Sequence, residues 1–148
     1  MQEKSAFVVA PTDRVEHLVR KHYVAVDPDD GVLEASRLMR MARLRQVPVT
    51  RDGILVGMLW YRDLLENWVT RLREAPWQSV VDALDDFRVE SVMRPIPEAV
   101  QPGDSLVNAA RTMLRLDMGC LPAVEQTEEG PRMIGIVTER DLLQIAYP

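Results

Sequence analysis

Gly135-Ile136-Val137-Thr138-Glu139-Arg140-Asp141 reads as a buried strand that ends in a hydroxyl, a guanidinium and a carboxylate. It runs directly into the apolar-spaced Leu142, Leu143 and Ala146 of a helix. The first-turn N–H groups of a helix lack partners and its dipole is positive there, so a strand delivering polar groups to that point makes an anion site. Thr138 can offer a hydroxyl to a phosphate and Arg140 a forked charge, while Asp141 can accept from two adjacent ribose hydroxyls. Together these suit a nucleotide.

The stretch has a counterpart, Gly57-Met58-Leu59-Trp60-Tyr61-Arg62-Asp63, with glycine, arginine and aspartate at the same spacing. Upstream, Val15-Glu16 matches Val89-Glu90, Val26-Asp27-Pro28 matches Val100-Gln101-Pro102, and Pro48 matches Pro122. Asp30, Ala35 and Met39 likewise find Asp104, Ala109 and Met113. These pairs lie 74 positions apart and the offset grows to 78 at Gly57 and Gly135, because the second copy carries four extra residues within Glu125 to Pro131. Two repeats therefore fill most of the chain, at 13–72 and 89–147, joined by a structured connector at 73–88.

Composition narrows the function. A chain of 148 residues that is 47% hydrophobic can bury a substantial core. A net charge of −5 and a pI near 5.1 leave no basic stripe for DNA or RNA. No apolar run is long enough to cross a bilayer and Met1 to Ala10 lacks the pattern of a signal peptide, so a cytoplasmic protein is expected. The single Cys120 rules out an intramolecular disulfide framework, and with two histidines it makes no zinc site.

Taken in order, Ala6-Phe7-Val8-Val9 suggests an added edge strand or a packed tail. Thr12 or Asp13 can cap a short helix through Val15, Leu18 and Val19, and Tyr23 to Val26 reads as a short strand. Asp30 is placed to cap a helix with Val32, Ala35, Met39 and Ala42 on one face. Gln46 to Thr50 and Ile54 to Trp60 form a hairpin across Arg51-Asp52-Gly53, followed by a helix with Leu64, Leu65, Trp68, Val69 and Leu72. Pro76 can start a connector helix carrying Trp77, Val80, Val81 and Leu84. The second copy repeats the plan: a lead-in at Val89 to Met93, a strand near Ala99-Val100, and a helix from Asp104 with Leu106, Ala109, Ala110 and Met113 inward. Its hairpin spans Cys120 to Val124 and Met133 to Thr138, and a last helix spans Glu139 to Tyr147.

The order strand, helix, strand, strand, helix, with Val-Met-Arg-Pro at 92–95, Leu-Pro-Ala-Val at 121–124 and Gly-Ile-Val-Thr-Glu-Arg-Asp-Leu-Leu at 135–143, resembles the cystathionine-β-synthase (CBS) domain. The resemblance implies an α/β (α+β) fold of two βαββα repeats packed as a pseudo-twofold pair. It also implies a regulatory module that binds an adenosine nucleotide, AMP, ADP or ATP, with S-adenosylmethionine ranking below these. Carried over residue by residue, the better site would combine Thr138, Arg140 and Asp141 with His22, Val24, Leu44, Arg45 and Gln46, the base lying between Val24 and Leu44 and reading backbone beside Pro48. The weaker site would combine Asp63 and Arg62 with Ile96, Met118, Gly119 and Cys120. There Trp60 stands where its twin has Thr138, removing a hydroxyl and filling space, so asymmetric binding is expected. A homodimer is the family expectation, with an effector protein on another chain receiving the signal.

Each signal also has a plainer explanation. Asp141 and Asp63 can be helix-start carboxylates held by the dipole, Arg62 and Arg140 solvated charges, His22 a loop residue, and the methionines and Cys120 core packing. Without Ser-His-Asp, Cys-His, a metal cluster or a phosphate-cradling glycine loop, the sequence reads as no enzyme. The alternative is a structural or dimerisation module with degenerate, non-binding clefts.

Overall fold

The computed structural model describes residues 13–74, 87–95 and 98–146, with Pro76, Gln78, Ser79 and Asp82 between them. The run Ala6 to Val9, most of the connector helix, and Ile96 lie outside the described residues. The chain divides into two compact units, Val24–Pro97 with Thr127–Arg132, and the residues up to Tyr23 with Glu98–Gln126 and those from Met133 onward.

In the Val24–Pro97 unit, β1 (Gln46–Arg51) and β2 (Ile54–Trp60) form an antiparallel hairpin. Asp52 and Gly53 turn it with φ of 51° and 81°, the consecutive positive values of a twist-matched two-residue turn. Helix α1 (Val32–Met41) buries Val32, Ala35 and Met39 against Val47, Val49, Leu59 and Leu64, the last from α2 (Tyr61–Glu74). Val89 completes this core from the short 3-10 turn Val89–Ser91, the lead-in of the second repeat, although it lies more than forty positions further along the chain than α1. Its amide donates to the Asp30 carbonyl at 2.9 Å, as that of Val32 does to the Phe87 carbonyl at 2.8 Å. The strand β3 (Arg94–Pro95) then pairs with β2 through Met58 and Gly57.

The other unit repeats these contacts with the repeats exchanged. Helix α3 (Leu106–Leu116) buries Leu106, Ala109 and Met113, with Ala110 half-buried. Strands β4 (Cys120–Thr127) and β5 (Gly130–Thr138) form its hairpin and α4 (Glu139–Ala146) closes it. The first repeat's lead-in, a 3-10 turn at Val15–His17, joins this unit: the Val15 amide donates to Asp104 at 2.8 Å and that of Leu106 to Asp13 at 3.1 Å. Arg20 and Ile136 exchange amide hydrogen bonds of 2.8 and 3.0 Å. Each lead-in thus packs on the body of the other repeat.

Three local expectations change. The first strands of the repeats shrink to single parallel bridges, Val26 to Val49 and Val100 to Ala123, because the chain turns away at Asp27-Pro28 and Gln101-Pro102 and proline has no N–H to continue a ladder. Asp30 does not cap α1: its carboxylate accepts from the Asp27 amide at 2.9 Å, and Asp104 does the same for Gln101 at 2.8 Å, so both fix the turn before the helix. Gly31 stands at the α1 N-cap without a side-chain bond, while Ser105 caps α3 by accepting from the Asn108 amide at 3.1 Å. Finally, β4 and β5 extend into the four-residue insertion, where Arg132 pairs with Ile54 within the Val24–Pro97 unit.

Candidate functional site

The two glycines of the repeated motif seat the lead-ins. A Cβ on Gly135 would lie 2.3 Å from the Arg20 carbonyl oxygen and 2.4 Å from a Val19 methyl. One on Gly57 would lie 2.6 Å from the Arg94 carbonyl oxygen and 2.9 Å from the Met93 sulfur. Strand and lead-in approach so closely that only a hydrogen fits, which is the physical reason for glycine at this register.

With the lead-in seated, its arginine reaches the motif's aspartate. Arg20 Nε donates to Asp141 Oδ1 and Oδ2 at 2.8 and 2.9 Å, and Nη2 adds a bond to Oδ1. Oδ2 also accepts from the Thr138 hydroxyl at 2.7 Å and the Thr138 amide at 3.2 Å, while Thr138 Oγ1 accepts from the Asp141 amide at 3.2 Å. Thr138 and Asp141 are therefore a reciprocal cap on α4, two otherwise orphan donors satisfied in exchange. Asp141 is only 6% exposed. Burial alone would push its carboxyl up, but the hydrogen bonds from Arg20 and Thr138 and the charge of Arg20 outweigh it and hold the group below the usual carboxylate range.

The twin has the same ion pair and a different neighbour. Arg94 Nε and Nη2 donate to Asp63 Oδ2 and Oδ1 at 2.7 and 3.0 Å. Where the twin has a capping hydroxyl, Trp60 lies under the guanidinium, 4.3 Å from carbon to ring centroid, so cation–π attraction adds to the ion pair. Beside Asp63 opens a cleft of about 480 Å³ whose wall includes Glu66, Glu74 and Arg71.

The remaining expected residues divide between the units. Arg140 and His22 are exposed and belong with Thr138 and Asp141. Val24, Leu44, Arg45 and Gln46 belong to the Val24–Pro97 unit: Val24 and Leu44 are half-buried against its core, Arg45 is exposed, and Gln46 is buried at the start of β1. The Arg45 carbonyl accepts from the Tyr61 amide at 2.8 Å, and its counterpart Gly119 accepts from Glu139 at 2.9 Å, so both helix starts are already engaged by backbone. Arg62 pairs along its own helix with Glu66 at 3.1 Å. Met118 is a core residue at 2% exposure, and Cys120 is half-buried and forms no disulfide. Sequence reasoning missed Arg20 and Arg94. The signal was present, since they stand 74 positions apart like every other upstream pair.

Among the described residues no group of three or more His, Cys, Asp or Glu is placed to hold a metal ion, and no helix is long and apolar enough to cross a membrane.

A repeated strand-to-helix motif that clamps the other repeat's lead-in defines the fold class, and comparison with known proteins gives it a family. The chain belongs to the CBS domain family, which matches residues 15–69 and 89–147. Protein MJ1225 of Methanocaldococcus jannaschii is 25% identical over 134 residues, 88% of this chain and 46% of that protein. Its crystal structure aligns with a TM-score of 0.79 at 23% identity, over 92% of this chain and 48% of that one. CBSX2, solved in complex with AMP, is 27% identical with a TM-score of 0.71, covering 90% of this chain and 95% of that one. The cytosolic domain of the Mg2+ channel MgtE, solved in complex with ATP, is 29% identical with a TM-score of 0.66, covering 95% of this chain and 51% of that one. The chain thus spans less than half of MJ1225, and it spans 26% of the inosine-5′-monophosphate dehydrogenase of Korarchaeum cryptofilum that also matches it.

Proposed function

We propose that this chain is a ligand-sensing regulatory module that binds an adenosine nucleotide, AMP, ADP or ATP, and carries out no catalysis of its own. The observation that carries the reading is Asp141: an ionised carboxylate at a helix start, almost fully enclosed yet flanked by a half-exposed arginine. A carboxylate in that setting is matched to a vicinal diol, and a ribose supplies one. The AMP-bound CBSX2, similar over nine-tenths of this chain, supports the ligand class. Thr138, Arg140 and Asp141 would hold the sugar and phosphate, with His22 contributed by the same unit.

The asymmetry expected from Trp60 persists in this reading. Asp63 lacks a capping hydroxyl and its arginine stacks on an indole, both of which disfavour a nucleotide there. Binding shifts a population only if it favours one arrangement of the protein over another, so the output would be a change in assembly, a homodimer, or in contact with an effector protein. Calorimetry with AMP, ADP, ATP and S-adenosylmethionine tests the reading: Asp141→Ala is expected to weaken nucleotide affinity at least tenfold, ~1.4 kcal/mol, while Asp63→Ala changes it less than threefold. Absence of binding by every adenosine compound would leave the dimerisation module as the better reading.

A further inference from the structure

We propose that Arg20 is a latch on the sugar end of this site, so that a ribose diol reaches Asp141 only by displacing the Arg20 guanidinium. The inference rests on the reading above that Asp141 takes the ribose. An ionised carboxylate has about four lone-pair positions. Those of Asp141 already receive five contacts, three from Arg20 and two from Thr138. At 6% exposure the residue has no unused face for a second pair of donors.

One of the two present partners has to yield. Thr138 cannot leave cheaply, because its hydroxyl also accepts from the Asp141 amide and closes the α4 cap. Arg20 can: its side chain is 52% exposed, so a rotamer change carries the guanidinium into water without uncovering a core. The ligand's two hydroxyls would then replace the arginine's forked donors on the same two oxygens.

The displacement has a structural consequence. Arg20 is the residue whose backbone pairs with Ile136, and its side chain is the lead-in's only charged tie to the closing motif among the described residues. With that tie broken, the C-terminal end of Val15 to Arg20 keeps the two amide bonds to Ile136 and the packing of Val19 on Gly135 but loses its ionic anchor. Occupancy of the site is thereby transmitted to the lead-in.

The test compares AMP with 2′,3′-dideoxy-AMP on the unmodified chain and on Arg20→Gln, which keeps a polar side chain but cannot fork onto a carboxylate. A site closed by the latch for 90–99% of the time gains roughly ten- to a hundredfold in apparent affinity when the latch is removed. Arg20→Gln is therefore expected to bind AMP about that much more tightly, with less than threefold change for the dideoxy compound. Arg20→Lys, which keeps charge without the fork, should fall between. Hydrogen exchange supplies a second readout: AMP should speed exchange at the Arg20 and Ile136 amides of the unmodified chain. Weaker AMP binding by Arg20→Gln would overturn the latch and make Arg20 a phosphate contact, and equal affinity would overturn it as well. Asp141→Asn separates the two claims. If it binds AMP as well as the unmodified chain, the ribose assignment itself fails; if it loses AMP while Arg20→Gln gains nothing, only the latch fails.

Discussion

Gly135→Ala probes the close approach on which the clamp depends. The added methyl would sit 2.3 Å from the Arg20 carbonyl oxygen and 2.4 Å from the Val19 methyl carbon, with the Arg20 carbonyl carbon at 3.0 Å. Ordinary contact begins near 3.4 Å, so strand and lead-in must part by about 1 Å, and two of the three opposing atoms are backbone that no rotamer can move. The separation stretches both amide bonds between Arg20 and Ile136, each worth about 1 kcal/mol, and adds an overpacking cost of about 1–3 kcal/mol. Glycine to alanine without strain would instead stabilise by about 0.4–1 kcal/mol through the unfolded state. The net expectation is a loss of about 2–4 kcal/mol, or roughly 5–15 °C in Tm for a chain of this size. Denaturant unfolding of Gly135→Ala is best compared with Gly103→Ala, where nothing lies within 4 Å of the added carbon. Equal stability of the two variants would refute the claim that this glycine exists to seat the lead-in.

Two further outcomes follow from the same contacts. Ser105→Ala removes the acceptor for the Asn108 amide at the start of α3 and should cost about 1 kcal/mol by denaturant unfolding, with nucleotide affinity unchanged. Because the folded-state pKa of Asp141 is depressed, its contribution to stability is full above the ordinary carboxyl value of about 4 and is lost as pH falls from there through the folded value. Unfolding measured between pH 7 and pH 3 should therefore show a stability gap between the unmodified chain and Asp141→Asn that closes with acid. A gap that stays constant with pH would mean the carboxylate is not held as described.

The candidate site was partly legible in advance. The strand ending at Thr138 and the helix behind it follow from local periodicity, and Asp141 stands out as a candidate because it shares the helix start with a hydroxyl that its twin Asp63 lacks. What the motif's residues touch was not legible. The partner of Asp141 lies 121 positions away on a short lead-in with too few apolar residues to show a period. The cap is the exception: Thr138 and Asp141 stand three positions apart before an apolar run, a capping pattern present in the sequence that the reading of Thr138 as a phosphate donor passed over. Trp60 was recognised as a departure from its twin, but its role as a platform for Arg94 required the seating of a second lead-in.

Hydrophobic spacing, turn chemistry and the 74-residue offset determined by themselves that this protein has two like halves, each with a hairpin and two helices, and where each glycine and aspartate of the closing motif falls. Those features are set by interactions among neighbours in the chain, which a linear pattern records. Tertiary structure alone decided that each half receives the other's lead-in, that the motif glycines make room for it, and that an arginine occupies each carboxylate. Such pairings join residues from 31 to 121 positions apart, and their choice rests on backbone fit and paired charge rather than on any periodicity the sequence carries.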